Sequence, residues 1–217
     1  MNPTEPVWYV AYGSNLLTDR FLVYITGCGD DTVWGAHRGS ADATLPTGDR
    51  RVVVPHPVYF GGHSRRWDGA CCFCPAEPPS EERLPVVGRA WLVTWDQMAD
   101  IVAQENGLPT SAASLPNRVP GPGDSVRVLD GVIDLLLGME AIDEYPACTL
   151  ASSQLPPAAP PSSSHWSMET KRQLNQIMSV DGTDKNNFSS LVGADNQRAS
   201  NVIEKFRKVR RINTTKR

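Results

Sequence analysis

Apolar positions along the chain fall into short runs separated by Gly, Pro, Asn and Ser, and the spacing inside each run predicts an element. Val7-Trp-Tyr-Val-Ala-Tyr12 is a continuous apolar and aromatic run closed by Gly13-Ser-Asn15, the pattern of a buried strand ending in a turn. Leu16, Leu17, Arg20, Phe21 and Tyr24 follow as a mostly apolar stripe at three- and four-residue spacing, which predicts a helix ending before Gly27. The segments 51–60 and 69–73 read as strands with a loop between them, and Pro55 and Pro57 put the first at an edge or bulge.

A third strand is predicted over 86–95. Thr94-Trp-Asp-Gln97 then has the capping-box spacing of a helix running toward Gln104 and stopped by Gly107 and Pro109. Residues 125–129 and 132–137 are two further strand candidates around Asp130-Gly131, which suits a tight hairpin. Several strands with two good helices predict an α+β fold.

Composition changes the picture at one place. All 18 prolines lie at or before Pro161 and all five lysines at or after Lys171. Residues 1–164 hold 10 Arg, no Lys and 19 acidic residues, whereas residues 165–217 hold 11 basic and 5 acidic ones. The chain therefore divides into a domain over 1–153, a Pro- and Ser-rich linker over 154–164, and a basic tail over 165–217 that is predicted helical in part. In the tail, Val202, Phe206 and Val209 form an apolar stripe flanked by Lys205, Arg207, Lys208, Arg210 and Arg211. Such a helix can bind nucleic acid, acidic lipid or a partner protein, and more often it docks on its own domain or extends from it.

The overall make-up, 40% hydrophobic and 21% charged, is that of a soluble globular protein. No apolar run approaches the ~18 residues of a membrane span, and no signal-like stretch opens the chain, so a cytoplasmic protein is expected. Five cysteines at irregular spacing argue for reduced thiols. Cys71-Cys-Phe-Cys74 contains a single C-x-x-C with no second Cys pair, and only His56 and His63 lie nearby. Small buried strand cysteines explain it better than zinc or redox chemistry. His37 and His165 lack a partner pattern, and no G-x-S-x-G, Walker A or G-x-G-x-x-G motif is present. Nor is there a His and Asp constellation to hold the zinc of a deacetylase.

Two features remain. Tyr12-Gly-Ser-Asn-Leu16 turns a buried strand into a helix. Unpaired N–H groups at a helix start, with Gly13 allowing close approach, would suit a carboxylate or phosphate. An ordinary turn capped by Ser14 or Asn15 has the same sequence. Glu105 shares a helix face with Met98 and Val102 and so points a carboxylate toward the core, where desolvation would make it a stronger base. In a frayed last turn it would instead reach solvent.

Together, Val7-Trp-Tyr-Val-Ala-Tyr-Gly-Ser-Asn-Leu16, Val87-Gly-Arg-Ala-Trp-Leu-Val93 and the helix closing in Gln104-Glu105-Asn-Gly107 resemble the gamma-glutamylcyclotransferase-like family over roughly residues 7–150. The resemblance implies a small mixed β-barrel with flanking helices, to which the basic C-terminal extension is added. It also implies a cavity in which Tyr12, Gly13, Ser14, Asn15 and Leu16 bind a small-molecule γ-glutamyl substrate. Glu105 would be the catalytic acid and base that releases 5-oxoproline, with neither metal nor cofactor. A non-catalytic binding module on the same fold is the alternative. Two departures accompany the resemblance. Ile133 stands where relatives place a tyrosine, and after Thr149 the composition changes as a fusion or an altered reading frame would change it.

Overall fold

A computed structural model of the chain describes residues 1–32, 34–64, 69–77 and 86–154. The predicted tail and all of the predicted linker past Gln154 lie outside the described residues.

The described strands are β1 (Pro6–Ala11), β2 (Gly48–Val54), β3 (Tyr59–Ser64), β4 (Gly69–Phe73), β5 (Val86–Thr94), β6 (Ser125–Arg127), β7 (Leu135–Ile142) and β8 (Tyr145–Ala151). The helices are α1 (Thr18–Thr26) and α2 (Trp95–Glu105). Six strands form one sheet in the order β2-β5-β1-β8-β7-β6, and β3 pairs with β4 as a separate ribbon. The fold is α+β, as the sequence predicts. The expected barrel is not closed: β2 and β6 are the two edges of an open sheet, and β3 and β4 pair with each other rather than bridging those edges.

β1 is a central strand, antiparallel to β5 from Pro6↔Thr94 to Ala11↔Arg89 and parallel to β8 at Trp8↔Ala147 and Tyr9↔Cys148. Because side chains alternate across a sheet, a central strand covered on both faces reads as an unbroken apolar run. Val7, Tyr9 and Ala11 join the core formed with α1 and α2, while Trp8 and Val10 pack with Val54, Ala90 and Ala147 on the other face. Phe21 of α1 stacks between Tyr9 at 5.6 Å and Trp91 at 4.7 Å between ring centroids. It is fully buried, so its removal would cost about 3–5 kcal/mol.

α2 begins where its sequence predicts. The Thr94 hydroxyl accepts from the Gln97 N–H at 3.2 Å, and the Gln97 side-chain oxygen accepts from the Thr94 N–H at 3.0 Å. Both ends of the buried Gln97 amide are used, because its Nε2 donates to the Asp42 and Thr44 carbonyls. Gly107, with φ +65°, supplies the left-handed residue that turns the chain away.

Four local expectations are corrected. The predicted strand 51–60 is the end of β2 and the start of β3, divided at Pro55 and Pro57, which cannot donate to a ladder. Residues 130–131 are not a two-residue hairpin turn: β6 ends at Arg127 and β7 begins at Leu135, paired Arg127↔Leu135. Residues 132 and 133 are drawn out of the strand by Asn106, as described below. The strand β8 was not expected, since Pro146 and the acidic Asp143-Glu144 turn obscure it. Finally, β1 does not lead directly into α1. A single 3-10 turn over Ser14–Leu16 intervenes, and α1 starts at Thr18 with Leu17 as its cap residue.

Candidate functional site

A cavity of about 690 Å³ opens beside the C-terminal end of β1. Its walls are Tyr9 and Tyr12, the Gly13–Asn15 turn, Arg20 and Tyr24 of α1, the β3–β4 ribbon, the end of α2 from Gln104, and the 130–133 loop. Of the residues singled out in the sequence, Tyr12, Gly13, Ser14, Asn15 and Glu105 all line it. Leu16 does not: its side chain is 1% exposed and belongs to the core.

The turn is fastened from β5. The Trp91 indole N–H donates to the Asn15 carbonyl at 3.0 Å. Arg89 donates to the Leu16 carbonyl and to the Thr18 hydroxyl, both at 3.0 Å, while its guanidinium pairs with Asp49 and lies 3.9 Å from the Trp91 ring centroid. These contacts hold Asn15 inward at 4% exposure. Its Nδ2 donates to the Tyr9 hydroxyl at 3.1 Å and to Glu105 Oε1 at 2.6 Å, while its Oδ1 is buried without a partner among the described residues. With no α-helix starting at Gly13, the expected helix dipole does not act at the turn, and a single 3-10 turn supplies only a few backbone donors.

Glu105 closes the face begun by Met98 and Val102, which are fully buried, but it is itself half-buried where α2 reaches the cavity. Burial first, and then the Glu105 carboxylate, push the Tyr9 hydroxyl far above the ordinary tyrosine range. Tyr9 therefore keeps its proton and remains a donor. Tyr12 is raised too, chiefly by burial and then by Cys74 and Cys72, with a hydrogen bond from the Cys74 backbone acting the other way.

Asn106 ties the far wall to α2. Its Nδ2 donates to the Val102 and Ile133 carbonyls at 3.1 and 2.9 Å, and its Oδ1 accepts from the Val132 and Ile133 N–H groups at 3.0 and 3.1 Å. Ile133 consequently sits in a loop on the cavity wall rather than in a strand.

Cys72 in β4, Cys74 just after it and Cys148 in β8 are thiols. Burial pushes Cys74 up to about 12 and raises Cys72 and Cys148 further, leaving little thiolate to attack or to ligate. Among the described residues no three His, Cys, Asp or Glu side chains come together as metal ligands. No helix of the described residues is long and apolar enough to cross a membrane.

Tyr9, Arg20, Tyr24, Gln104 and Asn106 were not singled out beforehand. Arg20 carried the same signal as Glu105, a charge on an apolar stripe. Tyr9 was hidden within the apolar run, and Asn106 is legible only through the loop it holds.

Comparison with known proteins gives limited likeness. No family model matches the chain. Histone deacetylase 5 of Arabidopsis thaliana is 31% identical over 108 residues, half of this chain, and the chain spans 16% of that protein's length. A solved gamma-glutamyl cyclotransferase aligns with 93% of this chain and 99% of its own, at 15% identity and a TM-score of 0.44. The chemistry of the cavity has to be read from its own residues.

Proposed function

We propose that the cavity is the active site of a cyclotransferase that releases 5-oxoproline from a γ-glutamyl amine or peptide. The observation that carries this reading is the 2.6 Å hydrogen bond from Asn15 to Glu105. It joins residues 90 positions apart, picked out independently in the sequence, at the head of one cavity. The motif resemblance over Tyr12–Leu16 supports it.

In this mechanism the Glu105 carboxylate takes a proton from the substrate's α-ammonium, freeing the amine lone pair. The amine nitrogen attacks the γ-carbonyl carbon and closes a five-membered ring. The carbonyl carbon then loses its bond to the departing nitrogen, which collects the proton held by Glu105, and the ring nitrogen gives up its second proton to the carboxylate so restored, leaving the single N–H of the lactam. Asn15 keeps the carboxylate facing inward. Tyr9, protonated and already accepting from Asn15, has its own O–H to offer to the oxygen that gains charge in the transition state. Much of the acceleration comes from folding the substrate so that amine and carbonyl meet, since oriented intramolecular attack can supply ~7 kcal/mol or more.

The deacetylase activity in the name of the Arabidopsis protein is not carried over, because the shared stretch is a small part of that protein. The deciding measurement is 5-oxoproline release by the purified chain across a panel of γ-glutamyl amines, amino acids and peptides. Release from at least one member, saturable and lost on heating, is expected. Ligand binding with no release from any of them would replace the enzyme by a binding module.

A further inference from the structure

We propose that Arg20 is a carboxylate-binding residue of the cavity and that it selects ligands bearing a carboxylate and an N–H donor group together. The inference rests on the reading of this cavity as a substrate site and adds a residue to it.

Arg20 lies in the first turn of α1, 3% exposed, and lines the cavity. A guanidinium is charged at every pH a protein meets, and a cation so far from water ordinarily has a carboxylate beside it. Arg89, also buried, follows that rule by pairing with Asp49. Arg20 has no such partner among the described residues. Its Nη1 meets Nε2 of His37 at 3.0 Å, its Nη2 donates to the Tyr24 hydroxyl, and its guanidinium lies 4.4 Å from the Tyr24 ring centroid. Its Nε is buried with no partner among the described residues.

Two orphan acceptors line the same cavity, Asn15 Oδ1 and Gln104 Oε1, again without a partner among the described residues. Both are oxygens by their surroundings. Asn15 Nδ2 faces Glu105, and Gln104 Nε2 donates to the Tyr24 and Asp100 carbonyls, so turning either amide over would set oxygen against oxygen. The unmet needs of the cavity are therefore one anion, at Arg20, and N–H donors, at Asn15, Gln104 and Glu105. An α-amino carboxylate answers both. A phosphate would satisfy Arg20 but confront two orphan oxygens and a carboxylate. Arg20 also supplies the positive charge that the 3-10 turn at Ser14 lacks.

The test compares L-glutamine with L-glutaminamide, which differ in the α-carboxylate alone, by titration calorimetry on the full chain. The unmutated chain should bind glutamine at least tenfold more tightly. Arg20→Gln should weaken glutamine about 10- to 100-fold, to the level of glutaminamide, and leave glutaminamide unchanged. Arg20→Lys should recover part of the loss, since it restores charge without the fork. Equal binding of the two probes by the unmutated chain, binding of neither, or a preference that survives Arg20→Gln would overturn the proposal. If Arg20→Gln unfolds by circular dichroism, the comparison in the unmutated chain still decides. An Arg20-dependent preference without 5-oxoproline release would sink the cyclotransferase alone. Release with a KM indifferent to the α-carboxylate would sink the Arg20 assignment alone.

Discussion

Replacing Asn106 by Ala tests how the cavity wall is built, whatever the cavity does. One side chain makes four hydrogen bonds there, two to carbonyls and two from the Val132 and Ile133 N–H groups. Each is worth about 0.5–1.5 kcal/mol net. The lower half of that range applies, because Asn106 is half-buried, Val132 is exposed, and water can reach part of what is released. The sum is about 2–4 kcal/mol. For a domain of this size that lowers Tm by about 4–16 °C, at roughly 2–4 °C per kcal/mol. Asn106→Asp should be nearly as harmful. It keeps the acceptor, loses both donors, and places a negative charge at the C-terminal, negative end of α2. Differential scanning calorimetry measures the shift, and amide exchange at Val132 and Ile133 should quicken in step. A Tm change below about 2 °C for Asn106→Ala, with exchange at those amides unaltered, would refute the claim that this residue holds the loop.

Glu105→Gln should reduce 5-oxoproline release by roughly 100-fold or more, while Tm moves by less than about 3 °C because the new amide oxygen still accepts from Asn15. Unchanged turnover in a continuous assay would remove the base. Asp100 is buried, which alone would raise its carboxyl. Hydrogen bonds from Thr110, the Ala41 N–H and Arg38, with the Arg38 charge, outweigh burial and hold it below the ordinary range. Its stabilisation is therefore present above the unfolded-state pKa and lost as pH falls below about 4 and through the lowered folded-state value. Urea melts at pH 7 and pH 3 should show a smaller acid loss for Asp100→Asn than for the unmutated chain, and equal losses would disprove the assignment. A chain ended after Gln154 should keep its circular dichroism and Tm. The contacts of Ser153 with Asp134 and of the Gln154 carbonyl with Tyr59 stay within it. Aggregation of that shortened chain would place part of the core beyond residue 154.

Elements specified by neighbours in the chain were legible from the chain. β1 shows itself as an apolar run because a strand covered on both faces has no polar phase, and α2 because Thr94 and Gln97 close a capping box across three residues. Glu105 could be picked out for the same reason: helical periodicity relates it to Met98 and Val102 without reference to anything distant.

What escaped was set by partners far away in sequence. Parallel pairing of β1 with β8 joins residues nearly 140 positions apart, and no local pattern announces it. The loop at 130–133 has a hairpin's sequence, yet Asn106, about 26 residues earlier, takes its backbone groups before a ladder can. An open sheet stands in place of a barrel, with β2 and β6 at its edges and β3 paired with β4 in a separate ribbon. The same holds for the cavity. Sequence alone determined that a Tyr-Gly-Ser-Asn turn and an inward glutamate exist. Only the tertiary structure decided that one amide joins them, that Tyr9 is the third member, and that Arg20 reaches the cavity without a carboxylate partner among the described residues. The physical reason is that desolvation and hydrogen-bond satisfaction depend on what the rest of the chain brings near, and periodicity along a segment records only which way a side chain faces.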